Sequence, residues 1–177
     1  MMSQIVALPK TLENTLDALI AVNQESNGVI WTKRKGRINV CTSIFMTGIG
    51  DDSHVEANEE RIRLVNVFLE KNPQYCFVKF HTHTYATIQK HGEYYAEHFS
   101  TGDIQGYQEQ LQHNPDFLAM VVTPVKKLLY GRDNPELVVI ADPKNFLQES
   151  AIIDLSVRIM ARFLNINLDN FSAKKKK

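Results

Sequence analysis

The sequence lacks several features that would each place it in a particular class of protein. It has only two cysteines, Cys41 and Cys76, both in apolar strand-like segments, so no disulfide framework is expected. No apolar run approaches the roughly 18 residues that a membrane-spanning helix needs. The N-terminus shows no signal-peptide pattern. These absences predict a protein of the reducing cytoplasm that has no membrane partner.

An excess of charge of one sign is also missing. The 20 basic and 20 acidic residues give a formal charge of zero, and four of the basic residues form Lys174–Lys177. Without that run, 16 basic residues face 20 acidic ones, a formal charge of −4. A body with no net positive charge and no basic stripe does not favour nucleic acid as a partner. Internal repeats and linkers are absent too, so we expect one domain over 1–170 and a disordered lysine-rich tail over 171–177.

What the sequence does contain is a succession of helical and strand-like patterns. Helices are predicted from Pro9, over roughly Val55–Lys71, from Ser100 to about Gln112, and from about Asn145 to Leu164. Strands are predicted over Val29–Thr32, Arg37–Met46, Tyr75–Phe80, Phe117–Val122, Lys126–Tyr130 and Leu137–Ala141. This order predicts an α/β fold of the α+β kind, with a mixed sheet flanked by helices.

Three of these helices carry apolar residues at helical spacing. In the first helix these residues are Leu12, Leu16, Leu19 and Ile20. In the second helix the apolar face is predicted to comprise Ile62, Val65 and Leu69. In the closing helix the spacing selects Ile152, Leu155, Ile159 and Phe163. The closing stripe suits the core and a dimer interface equally well, so a homodimer or larger assembly is compatible with the sequence.

The most informative stretch is the end of the third predicted strand, Phe77–His83. His81 and His83 stand at i, i+2, which on a strand directs both imidazoles to the same face of the sheet. Two neutral imidazoles side by side form half of a zinc site. Asp103, at the start of a predicted helix, is placed to supply a third ligand. Three protein ligands with a fourth position for water are typical of a catalytic zinc.

Each part of this pattern also has an ordinary structural interpretation. A His-x-His at a strand end can be a structural or surface pair. Ser100-x-x-Asp103 before a helix matches a capping signature, with Ser100 as the N-cap. Glu25, taken alone, is a solvated carboxylate where the first helix ends. A metal-dependent hydrolase needs a general base beside these ligands, and Glu25 precedes Gly28 and an apolar strand.

Taken together, Glu25-x-x-Gly28, His81-x-His83 and Ser100-x-x-Asp103 resemble the motifs of the JAMM (MPN-plus, JAB domain) zinc metalloprotease family. The resemblance covers about residues 5–165, including the order of the predicted elements. It implies an MPN/JAB-like fold with a three-layer arrangement similar to that of cytidine deaminases.

The resemblance also implies a role for each motif residue. Zn²⁺ would be held by His81, His83 and Asp103, Glu25 would be the general base and then the general acid, and Ser100 would hydrogen-bond the tetrahedral oxyanion. The implied activity is hydrolysis of peptide or isopeptide bonds at the C-termini of ubiquitin-like modifiers, with a ubiquitin-like protein or its conjugates as partner. The alternative is a non-catalytic MPN-type scaffold, which usually goes with lost ligands.

Two positions depart from the family pattern. Thr84 follows the second histidine, where the family usually has proline. Ser100 comes seventeen residues after His83, which is longer than the usual spacing. The inserted segment, residues 84–99, is predicted to be an exposed loop with one helical turn that shapes or covers the metal site. His91 and His98 within it are further candidate ligands. Other zinc hydrolases fit less well, since a zinc deaminase needs Cys-x-x-Cys and an amidohydrolase barrel about 250 residues.

Overall fold

A mixed seven-stranded β-sheet forms the centre of the computed structural model, which describes residues 3–22, 24–51 and 55–171. Its strands are β1 Ile5–Pro9, β2 Ser26–Lys35, β3 Ile38–Ile49, β4 Tyr75–Thr82, β5 Leu118–Val122, β6 Lys127–Gly131 and β7 Glu136–Ile140. Their order across the sheet is β6-β5-β4-β2-β3-β1-β7. The hairpin β2–β3 and the pairs β2–β4 and β5–β6 are antiparallel, whereas β1 pairs parallel to β3 and β7, and β4 to β5.

Helices cover both faces of this sheet. They are α1 Lys10–Ile20, α2 Glu59–Lys71, α3 Tyr85–His91, α4 Tyr94–Glu97, α5 Thr101–His113 and α6 Phe146–Phe163. The predicted α/β fold, a mixed sheet flanked by helices, is therefore confirmed. Within the described ranges, no helix is long and apolar enough to cross a membrane. The predicted tail over Lys174–Lys177 lies outside the described residues.

Successive side chains of a strand point to opposite faces of the sheet, and this alternation determines which residues of the central strands lie on each face. Val78 and Phe80 of β4 pack with α1 in one apolar cluster. On the opposite face, β2 residues pack with α2 and α6, and β5 residues pack with Tyr107 of α5. Lys79 and His81, the alternate residues of β4, therefore lie on this second face, between the part covered by α2 and the part covered by α5.

The first strand, β1, was missed by the sequence prediction, which began a helix at Pro9. Pro9 is instead the last residue of β1 and the N-cap of α1. Val6 and Leu8 are fully buried. The strand pairs parallel to β3 and β7, which lie more than twenty-five residues along the chain. Such distant pairing leaves little local signal in a five-residue segment.

The apolar stripe predicted on the closing helix does not face the core. Ile152, Leu155, Ile159 and Phe163 are 55, 59, 45 and 84% exposed. The buried residues of α6 are instead Phe146, Ile153, Val157 and Ala161. The helix has two apolar faces, and spacing alone does not identify the one that packs. On α2 the prediction is confirmed for Val65, which is buried, and for Leu69, which packs against the core, but it is wrong for Ile62, which is exposed. The other buried residues of α2 are Arg61, Leu64 and Phe68.

The segment inserted after the histidines is not an exposed loop with one helical turn, as predicted. It forms α3 and α4, and the side chains of Thr84, Thr87 and Ala96 are buried. Thr84 is the N-cap of α3, and its hydroxyl accepts from the backbone N–H of Thr87. The Thr-x-x-Thr sequence forms a capping box with Thr87 at N3, a position more often taken by Glu or Gln.

Candidate metal centre

Two imidazoles meet at the end of β4. His81 lies within the strand and pairs with Asn27 of β2. His83 follows the strand, and its backbone N–H donates to the carbonyl of Val122 at the end of β5, at 2.9 Å. The i, i+2 spacing places both rings on one face, as predicted, with Nε2 of His81 3.2 Å from Nε2 of His83.

Hydrogen bonds at the opposite ring nitrogens orient both histidines. Nδ1 of His83 lies 3.0 Å from the backbone carbonyl oxygen of Tyr95. A carbonyl only accepts, so this Nδ1 carries hydrogen and the neutral ring keeps a lone pair on Nε2. Nδ1 of His81 lies 3.1 Å from the hydroxyl oxygen of Tyr107. Burial lowers the pKa of His81 to about 4, although Asp103 opposes this shift, so His81 is neutral at pH 7.

A carboxylate from α5 completes this group. Oδ1 of Asp103 lies 3.2 Å from Nε2 of His81, and its Oδ2 lies 3.7 Å from Nε2 of His83. These separations resemble the edges of about 3.3 Å that ligands at 2.0–2.1 Å form around a tetrahedral zinc. In the described part of the chain, His81, His83 and Asp103 are the one group of three or more His, Cys, Asp or Glu side chains arranged to hold a metal ion.

Ser100 and Asp103 are tied to each other by the capping box of α5. The backbone N–H of Ser100 donates to Oδ2 of Asp103 at 2.8 Å, and the N–H of Asp103 donates to Oγ of Ser100 at 3.1 Å. The capping interpretation is thus correct, and it is compatible with the ligand interpretation because Oδ1 of Asp103 still faces the histidines. The Ser100 hydroxyl accepts in this bond and keeps its own hydrogen to donate.

Glu25 is not a solvated residue at a helix end, because α1 ends at Ile20 and Glu25 directly precedes β2. Its side chain is buried, with 5% exposed. Its backbone extends the β2–β3 pairing: its N–H donates to the carbonyl of Asp51 at 2.7 Å, and its carbonyl accepts from Gly50 at 2.9 Å. The next residue, Ser26, donates its N–H to the Thr82 hydroxyl of β4 at 2.9 Å. The backbone of this segment is therefore fixed from both sides.

The inserted segment supplies the partner of the Glu25 carboxylate. The Thr87 hydroxyl of α3 donates to Oε1 of Glu25 at 2.8 Å. Burial raises the pKa of Glu25 above its ordinary value, while Thr87 and then His83 oppose the increase. The carboxyl group is thus both oriented and made more basic by its surroundings.

Gly28 has a steric reason to follow Glu25 by three residues. A Cβ at this position would lie 2.4 Å from the carbonyl oxygen of Phe45 and 2.7 Å from a ring carbon of Phe80. Both separations are too short for a carbon atom, so a side chain would force β2 away from its neighbours. Glycine lets the strand lie flat against β3 and β4 next to Glu25.

One cleft of about 590 Å³ is lined by the five motif residues to which the resemblance gives a chemical role, namely Glu25, His81, His83, Ser100 and Asp103. Its other lining residues are Asn27, Val55, Lys79, Thr87, His91, Tyr95, Thr101, Gly102, Gly106, Tyr107, Glu109 and Gln110. The candidate ligands of the insertion do not join the group of His81, His83 and Asp103: His91 lies at the cleft wall, and His98 stacks on Tyr94 with ring centres 4.2 Å apart. Sequence reasoning missed Thr87, Tyr95 and Tyr107, whose contacts with the site are formed only by tertiary packing.

Comparisons with known proteins add information on the fold. No protein-family model and no curated protein matches the chain. Among solved structures, the solution structure of protein DSY2949 from Desulfitobacterium hafniense is similar, with a TM-score of 0.50 and 16% sequence identity. The match covers 80% of this chain and 97% of that one. At this identity the likeness concerns the fold alone.

Proposed function

We propose that this protein is a zinc-dependent peptidase or isopeptidase of the JAMM type, with an MPN/JAB-like fold, that acts at the C-termini of ubiquitin-like proteins or their conjugates. One observation carries the proposal. The side chains of His81, His83 and Asp103 converge, and the buried carboxylate of Glu25 lines the same cleft.

The three converging groups fit a zinc ion. His83 presents a lone pair at Nε2 because its Nδ1–H is held by the Tyr95 carbonyl. Nε2 of His81 and a carboxylate oxygen of Asp103 lie 3.2 Å from each other. A cation between these atoms satisfies all three electron-rich groups at once, and a nitrogen–nitrogen–oxygen set is one that zinc accepts. Zn²⁺ held there would polarise a substrate carbonyl and lower the pKa of a bound water toward about 7.

The chain's own residues perform the proton transfer. Glu25 accepts a proton from the attacking water and gives it to the nitrogen that leaves, so that the amide bond is replaced by a carboxylate and an amine. The raised pKa of Glu25 brings it closer to the pH at which such a group works well. The Ser100 hydroxyl donates to the oxyanion, a contribution that is typically worth roughly 3 kcal/mol of barrier.

Zinc content and hydrolysis, measured together, test the proposal. We expect about one zinc per chain and cleavage of ubiquitin-like fusions or peptides by the wild type. Glu25→Gln keeps the shape of the side chain but cannot take up the proton, so hydrolysis should fall at least about a hundredfold with zinc content unchanged. The matched control is Glu109→Gln, an exposed carboxylate in the wall of the same cleft, which should leave the rate near wild type.

Two results would count against this proposal. Equal rates for the wild type and Glu25→Gln would show that another group is the base. Zinc bound stoichiometrically by a wild type that cleaves none of the fusions or peptides would favour the non-catalytic scaffold instead.

A further inference from the structure

Lys79 occupies an unusual place for a lysine, on a central strand of the sheet. It precedes His81 by two residues on β4 and lies on the same face. Its neighbours across the sheet are Val29 of β2 and Ala119 of β5, both buried and apolar. The side chain is nevertheless exposed, because the cleft opens above it. Lys79 is thus a cation on the floor of the cleft beside the candidate metal centre.

The ammonium group of Lys79 is close enough to Asp103 for electrostatic attraction, but the two groups are not bonded directly. Within residues 3–22, 24–51 and 55–171 it has no hydrogen bond or ion pair. The nearby carboxylates are engaged elsewhere, since Oε1 of Glu25 accepts from Thr87 and Oδ2 of Asp103 accepts from Ser100. The ammonium group faces the open cleft, so a group that enters the cleft can reach it. A cation that is unbonded on the floor of a cleft suits an anionic group of a ligand that enters the cleft.

The opposite wall leaves room for such a ligand. Gly102 and Gly106 stand one turn apart on α5 and line the same cleft. A Cβ at Gly106 would meet no atom within 4 Å, so packing does not require glycine there. Glycine inside a helix is less favourable than alanine. The two glycines keep side chains out of the cleft along α5, the helix that carries Asp103.

We propose that Lys79 forms a subsite for a carboxylate of the substrate. The motif residues account for hydrolysis in the proposed function, but they do not determine which substrate groups bind beside the cleaved bond. Lys79 and His81 are two residues apart on the strand, which is a distance of about 6.6 Å. A carboxylate bound to Lys79 would therefore lie within about two residues of the bond cleaved at the metal centre. It comes either from an Asp or Glu side chain or from a free C-terminus. The term substrate rests on the function proposed above; the carboxylate subsite itself does not.

Peptide binding tests the subsite with hydrolysis suppressed, because every protein in the titration carries Glu25→Gln; wild type there denotes the chain that retains Lys79. The full chain with one equivalent of zinc is titrated with two matched pairs and followed by amide chemical shifts. One pair is acetyl-Gly-Gly-Glu-Gly-amide and its Gln counterpart, and the other is acetyl-Gly-Gly-Gly and its amide. In one of the pairs, the wild type should prefer the carboxylate about tenfold or more, as expected for a hydrogen bond to a charged group. The pair that shows the preference identifies the source of the carboxylate.

Substitutions then assign the preference to Lys79. Lys79→Met should reduce the ratio to near one and Lys79→Arg should keep it, while Lys144→Met, at an exposed lysine distant in sequence, should leave it unchanged. A carboxylate that bound only to zinc would give the same ratio in wild type and Lys79→Met, and this result would overturn the subsite. So would equal binding of both members of each pair by the wild type.

The proposed function and the subsite can fail separately. If wild type and Lys79→Met differ in carboxylate preference but the wild type hydrolyses no peptide or fusion, the subsite stands and the peptidase proposal fails. If the wild type hydrolyses peptides in a zinc-dependent manner with no preference for a carboxylate near the cleaved bond, the peptidase proposal stands and the subsite fails.

Discussion

The hydroxyl of Thr87 donates a hydrogen bond of 2.8 Å to Oε1 of Glu25, across 62 residues of sequence. Both side chains are buried. Thr87 belongs to the segment inserted between His83 and Ser100, which also supplies the Tyr95 carbonyl that orients His83. The insertion is therefore part of the candidate site: Thr87 orients the proposed general base, and Tyr95 orients a candidate ligand.

Replacing Thr87 by valine should alter the pH dependence of hydrolysis. Valine has the same shape but no donor, and the lost hydrogen bond had lowered the pKa of Glu25. The pKa should therefore rise, and the acid limb of the pH–rate profile should move to higher pH. The maximal rate should fall about tenfold, as is typical when a hydrogen bond to a charged group is removed. The measurement is the pH–rate profile at constant zinc content.

Two further variants separate positioning from folding. Thr87→Ser retains a hydroxyl and should restore the acid limb. Thr84→Ala removes the cap of α3 but leaves the Thr87 hydroxyl in place, so it should change thermal stability more than the pH profile. An acid limb that stays in place in Thr87→Val would show that Thr87 does not act through Glu25.

A variant that lacks residues 85–99 should lose its bound zinc. The deletion eliminates the carbonyl that holds Nδ1 of His83, and such supporting groups typically matter about 10- to 100-fold for metal affinity. It also removes the Ala96 carbonyl that accepts from Thr123 at 2.7 Å. The measurement is zinc content after dialysis, together with the melting temperature. A deletion variant that melted like the wild type and kept one zinc would show instead that the segment is a separate lid.

The parts of the site that the sequence predicted are those whose geometry is local. The i, i+2 spacing of His81 and His83 determines the face of the strand, and Ser100-x-x-Asp103 forms its capping box within one helical turn. Gly28 marks a close approach of strands that only glycine permits. These relationships require no knowledge of distant contacts. The convergence of the motifs on one cleft was predicted from a family resemblance, and not from local geometry.

What could not be predicted depends on distant packing. Nothing near Thr87 or Tyr107 in the sequence indicates contact with Glu25 or His81. The strand β1 is stabilised by parallel partners far along the chain. On α6, Ile153 and Leu155 both belong to apolar stripes, and only the position of the sheet decides which stripe is buried.

Alanine substitutions of the three candidate ligands should separate them from nearby histidines. His81→Ala and His83→Ala should each abolish zinc binding, and Asp103→Ala should sharply reduce it, because each removes one of three protein ligands. His91→Ala is the matched control within the same cleft and should retain about one zinc per chain. The measurement is metal content of dialysed protein. Stoichiometric zinc in the double variant of His81 and His83 would contradict the assignment and direct attention to His91 and His98.

Matched truncations on α6 should reveal which stripe is packed. Ile153 is 1% exposed, whereas Leu155 is 59% exposed. Ile153→Ala should reduce the free energy of unfolding by about 2–4 kcal/mol, and Leu155→Ala should change it by less than about 0.5 kcal/mol. Urea unfolding at low protein concentration measures both. A large loss for Leu155→Ala would mean that the exposed stripe is covered in solution.

The final prediction concerns the stability of the metal-free protein at different pH values. Burial raises the pKa of Glu25 above its unfolded value near 4.5. Between these two values the folded chain keeps a proton that the unfolded chain has released. The free energy of unfolding contributed by this group therefore falls as pH rises through that window, and it is constant above it.

Glu25→Gln removes this dependence, and the amide oxygen can still accept from Thr87. The stability of Glu25→Gln relative to wild type should increase as pH rises above about 4.5 and then level off. Urea unfolding of both proteins after removal of metal, from about pH 4 to pH 8, measures the difference at each pH. All other groups titrate in both proteins, so they cancel in the comparison. A difference independent of pH would show that Glu25 has the same pKa in the folded and unfolded chains, and the account of Glu25 as a buried base would then be wrong.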